Sequence, residues 1–99
     1  MKTKPASKSK GNGFPVAIGE NILVRTVTMI QVGRLVAVGE HELTLEDAAW
    51  VADTGRFATM LATGKAEEVE PFPDGICFVG RGAIVDGCPW RHPLLRETK

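Results

Sequence analysis

The chain has 99 residues, 43% of them hydrophobic and 24% charged, with twelve basic and twelve acidic side chains. That length holds one domain at most, and a domain so small is often helped by a partner, a metal or disulfides. No apolar run approaches the roughly 20 residues that span a bilayer, and no hydrophobic stretch follows the basic start as in a secretory signal, so a cytoplasmic protein without a membrane role is expected.

The zero net charge hides an asymmetry. Lys2, Lys4, Lys8 and Lys10 all fall in residues 1–13, which contain no acid. Residues 14–99 keep eight basic against twelve acidic side chains, a difference of four. The body is therefore not an evident phosphate-backbone binder. The basic arm, rich in Lys, Ser and Gly with nothing to bury, reads as flexible and is the segment suited to nucleic acid or an acidic partner.

Residues 14–99 read as a single β-rich domain. A short strand is expected over residues 15–18, ended by Gly19-Glu20-Asn21. A long strand follows over residues 22–32, dense in β-branched residues. Gly33 then marks a turn or sharp bend before residues 34–38. Gly39-Glu40-His41 is a hairpin connection. Leu43 and Leu45 alternate with Glu42, Thr44 and Glu46, which puts the leucines on the core face; residues 48–51 extend this strand.

Asp53-Thr54 supplies acceptors for a helix start. Residues 56–63 form a short helix whose apolar face joins Phe57, Met60 and Leu61, closed by Gly64. Residues 67–70 are a strand, and Pro71-Phe72-Pro73-Asp74-Gly75 is a turn. Two more strands, 76–79 and 83–85, are linked by Gly80-Arg81-Gly82. The end, from Cys88 through Pro89, Trp90, Arg91, His92 and Pro93 to Leu95, is too proline-broken for regular structure. It is also too apolar to stay in solvent, so it docks on the body or on a neighbouring subunit. The expected fold class is mainly β with a minor α part: a small bent sheet or SH3/Sm-like β-barrel with one short helix.

The segment TMIQVGRLVAVGEHELTLEDA, residues 28–48, resembles the core of Sm-like domains: a Gly in a bent strand, a turn, then alternating leucines ending in Asp-Ala. Gly33, Leu43, Leu45, Asp47 and Ala48 carry the likeness. The chain departs from that family in placing its helix after these strands and in having no counterpart of the Asn used for base recognition. The body as a whole resembles a family of small bacteriophage proteins. The likeness rests on Arg25-Thr26-Val27-Thr28, on residues 47–57 (DAAWVADTGRF), on Glu68-Val69-Glu70-Pro71-Phe72, and on Gly82-Ala83-Ile84-Val85-Asp86 with Trp90-Arg91-His92-Pro93-Leu94. It implies a viral origin and no particular activity.

Candidate binding residues are those with stacking or phosphate chemistry. Trp50, Phe57 and Trp90 offer aromatic faces. Arg56 stands in the first turn of the helix, where free N–H groups favour anions. Arg81 sits between two glycines, suited to bidentate bonds with a phosphate. Arg91 and His92 flank Trp90. Each has a plainer role as core anchor, capped helix or solvated turn.

His41 and His92 are isolated, so no metal site is expected; no cofactor is expected either. Cys77 and Cys88 match no metal motif. They are read as packed free thiols, with a disulfide open if their strands pair. Ser7 and Ser9 are the only serines, neither Cys lies in a nucleophile motif, and Asp47 and Asp53 read as surface and capping groups. The chain is read as a non-enzyme.

Three functions fit. The first is an oligomeric phage protein that sequesters a nucleotide-type signal of host defence, acting in the cytoplasm of the infected cell. The second is a virion structural or assembly subunit. The third is an Sm-like nucleic-acid binder. All expect a homo-oligomer; the first adds a phosphate-containing small molecule, and the third adds nucleic acid through the basic arm.

Overall fold

A computed structural model describes residues 13–99; the expected flexible arm lies almost wholly outside the described residues. The chain is mainly β. Among the described residues six antiparallel strands form one sheet: β1 (Asn21–Thr26), β2 (Ile30–Val38), β3 (Glu42–Asp53), β4 (Glu68–Pro71), β5 (Cys77–Gly80) and β6 (Ile84–Pro89). One helix, α1 (Phe57–Thr63), lies between β3 and β4, and a 3-10 turn (Arg81–Ala83) joins β5 to β6. The spatial order is β4-β3-β2-β1-β6, with β5 also paired to β3. The sheet does not close, which corrects the barrel alternative: β5 stays on β3 at one side, while β6 crosses to β1 at the other.

The bend is built at Asp47. Its φ of 50° places it in the left-handed region, which Asp tolerates better than most residues. Pairing with β2 slips here, from Arg34 opposite Glu46 to Val32 opposite Ala49. The N-terminal half of β3 then pairs with β5 and its C-terminal half with β4. The slip also moves apolar residues to both faces of the sheet. Leu43, Leu45 and Ala48 join Ile22, Val24, Leu35, Cys77 and Val79 in one core. Ala49 and Val51 join Leu23, Val32, Met60, Ala66, Val69 and Trp90 in a second.

Several local expectations change. Residues 15–18 form bends and turns rather than a strand. The long strand expected over residues 22–32 is a hairpin, broken at Val27-Thr28-Met29. Thr26 closes that turn: its backbone N–H donates to Met29 O at 2.8 Å, and its Oγ1 accepts from Met29 N–H at 3.0 Å. Threonine does here what Asn or Gly does in commoner turns. Gly33 lies inside β2, where pairing with β3 slips between Val32 and Arg34, so it marks the bend and not a turn, and it is also a point of close approach. A Cβ there would stand 3.0 Å from the Leu45 Cβ and 3.1 Å from that of Ala48.

The helix starts one residue later than expected, and Asp53 caps the loop instead, its Oδ1 accepting from Gly55 N–H at 2.8 Å. Met60 is buried, Phe57 is partly buried, and Leu61 is 36% exposed rather than sharing the packed face. Gly64 closes the helix in the left-handed conformation at φ 76°.

Candidate functional site

The seven residues singled out from the sequence do not gather at one place. Trp90, Phe57 and His92 meet on the face that carries α1. Trp90 is 4% exposed and packs in the second core, with Phe57 against it. Its indole N–H donates to Pro93 O at 3.1 Å. His92 meets Trp90 edge-on, ring centroids 5.2 Å apart, and its Nε2 lies 2.7 Å from Leu61 O. A carbonyl accepts only, so that nitrogen carries the proton.

The C-terminal segment thus docks on its own chain. Arg96 adds a bond to Asp47 at 3.2 Å, and Lys99 pairs with Val69 through both backbone groups, at 2.8 and 2.9 Å. Arg91 lines a cleft of about 380 Å³ together with Trp90, Pro15, Val16, Glu20, Asn21 and Pro89. Arg56 is exposed at the foot of α1. Phe57 lies 5.4 Å beneath a different cation, Arg25, which is itself bound to Asp86.

Arg81 stands elsewhere, just past β5. Its Nη1 donates to Gly39 O at 2.8 Å and its Nη2 to Gly13 O at 2.9 Å. The guanidinium also sits 5.8 Å above the Phe14 ring. It ties the β2–β3 connection to the chain entering the domain. Arg56, Arg81 and Arg91 therefore belong to separate elements and do not converge on one phosphate.

Trp50 occupies the sheet face opposite Ala49 and Val51. It pairs across β3 with Gln31 on one side and Glu70 on the other. Directly opposed residues share a face, so Glu70, Trp50 and Gln31 form one row, continued by Val24 opposite Gln31. Gln31 is 8% exposed, and its Oε1 is buried with no hydrogen-bond partner. Neither Gln31 nor Glu70 stands out in the sequence; only register reveals them.

The β5 edge is a second feature missed from sequence. Core residues Cys77 and Val79 alternate with Phe78, which is 73% exposed. Ile76, on the same side by alternation, is also exposed. Among the described residues no strand pairs with the outer side of β5. Other edges differ in their chemistry. β4 carries Glu68, Glu70 and Pro71 and is covered by Lys99, and β6 carries Asp86 and Pro89. Charge, proline and cover are the usual guards of an edge strand. The sequence of β5, Cys-Phe-Val-Gly, has none of them.

Electrostatics elsewhere are structural. Hydrogen bonding from Arg34 holds the Asp47 carboxyl below its ordinary value, with Arg96 adding to the effect. Arg25 does the same for Asp86. Both cysteines are free, and burial pushes their thiols up. Among the described residues no three His, Cys, Asp or Glu side chains gather as metal ligands, and no helix is long and apolar enough to cross a membrane. Compared with known proteins, the chain matches no family model, no curated protein and no solved structure.

Proposed function

We propose that this is a non-enzymatic bacteriophage protein that works as a self-associating assembly subunit, with β5 as its pairing edge. The observation that carries the reading is Phe78, a large apolar side chain left in solvent on an uncharged edge strand that nothing covers among the described residues. Such an edge adds a strand from another chain through main-chain hydrogen bonds, and the alternating side chains select the partner. A second copy brings the same uncharged edge, so two β5 strands pair antiparallel about a two-fold axis. The resemblance of residues 25–28, 47–57, 68–72, 82–86 and 90–94 to small phage proteins supports the viral origin. The cytoplasm of an infected cell and the virion are then the places where the subunit works.

The strand order supports an open SH3-like roll. Strands β1, β2, β3 and β5 follow one another, a 3-10 turn follows β5, and β6 returns to β1, with α1 and β4 inserted after β3. The separation of Arg56, Arg81 and Arg91 is why assembly is preferred to capture of a phosphate by three converging arginines.

The test is sedimentation of the purified chain against Phe78→Ser. The native chain is expected to form a dimer or larger species, and the variant, altered only at an exposed position, to remain folded and monomeric. A native chain that stays monomeric at high concentration overturns the reading, as does a variant that associates equally well.

A further inference from the structure

We infer that the row Glu70–Trp50–Gln31 is a binding site for a planar heteroaromatic ligand of the nucleobase class. The argument starts from Gln31. A buried amide oxygen without a partner is costly, and native proteins rarely keep one without a use for it. Leucine of similar size would fill the position beside Val24 without that cost. The amide instead lies next to Trp50, whose ring is only partly covered. An indole face takes any base by stacking, because every base has a π-face. On the far side of Trp50, Glu70 presents an exposed carboxylate.

Register sets the spacing. Gln31 and Glu70 are two strand separations apart, roughly 9–10 Å, with the indole between them. A base lying on Trp50 meets an acceptor at one edge; at the other it meets the Gln31 amide, whose oxygen is covered in the free chain and turns outward to bond the ligand. The carboxylate accepts only, so it selects a ligand edge bearing N–H donors; the amide both donates and accepts. Guanine, with adjacent ring N–H and amino donors, fits the carboxylate better than adenine. The sheet supplies this selectivity without the three arginines, and the ligand's sugar and phosphate extend into solvent. The site is independent of the β5 edge, so either stands without the other.

The experiment is calorimetric titration of the native chain with guanosine and adenosine, repeated with Gln31→Leu, Trp50→Ala and Glu70→Gln. Guanosine is expected to bind and adenosine to bind more weakly. Loss of the stacking face in Trp50→Ala should weaken guanosine by about tenfold or more. Gln31→Leu is the decisive variant: it should lose guanosine while keeping or raising the melting temperature, since it removes an unpaired buried acceptor. No heat with either nucleoside overturns the inference. So does guanosine binding that survives Gln31→Leu, which places the ligand elsewhere. A marked fall in melting temperature on Gln31→Leu overturns it too, because the amide then has a structural partner.

Discussion

Truncating Trp90 tests how the C-terminal segment is held. The indole is almost fully buried among Leu23, Met60 and their neighbours. Trp→Ala at such a site costs about 3–5 kcal/mol, from lost burial and the cavity left behind. Trp90→Phe keeps most of the packing but leaves Pro93 O without its donor. Pro93 is exposed, so water replaces that bond, and its loss is expected to cost about 0.5–1.5 kcal/mol. A domain of this size has only about 5–15 kcal/mol to lose.

Loss should also be local. Without the indole, His92 has no edge-on partner, and the contact to Leu61 O loosens. Urea unfolding followed by far-ultraviolet circular dichroism gives the stability change. Amide exchange at Val69 and Lys99, which pair with each other, gives the local one. A Trp90→Ala cost below about 1 kcal/mol, with both amides still protected, would show that the segment is held without this anchor.

Gly64→Ala should destabilise, because φ is 76° and the new Cβ would stand 2.6 Å from the His92 ring; thermal melting reads this, and an unchanged midpoint contradicts it. Thr26→Val removes the hydroxyl that closes the first hairpin and should cost about 1 kcal/mol in urea unfolding. In acid, Asp47 and Asp86 set the trend. Their folded-state pKa values lie below the ordinary 3.8. Their contribution is therefore complete above the unfolded value and lost as pH falls through the folded one. Stability measured from pH 5 downward should fall below about pH 4, and less steeply in Asp47→Asn.

What the sequence disclosed depended on how local the signal was. Leu43 and Leu45 alternate with polar neighbours, so their core face was legible from period alone, and Gly64 announced the helix end. The Val27 turn was not legible, because Thr26 closes it with a side chain that β-strands also favour. Gly33 carried a real signal with more than one meaning. A glycine in a strand can mark a turn, a bend or a close approach, and the slip beside it, with Leu45 and Ala48 crossing over it, decides for the last two. The candidate row was hidden for a different reason. Gln31, Trp50 and Glu70 lie on three strands, and a shift of one residue at the Asp47 bulge would have put them on opposite faces.

The same bulge explains why one edge is open and another is not. Because β3 turns at Asp47, two short strands share its outer side, β5 before the bend and β4 after it. The Asp47 carboxylate that sits at the bend accepts from Arg34 on β2 and from Arg96 on the C-terminal segment. Arg96 thereby aims the last residues toward β4, where Lys99 completes the backbone pairing. Nothing equivalent reaches β5 among the described residues. A single left-handed aspartate thus joins two features: the register that assembles the Trp50 row and the strap that covers β4. The exposure of Phe78 has its own cause, the alternation of β5 against the buried Cys77 and Val79.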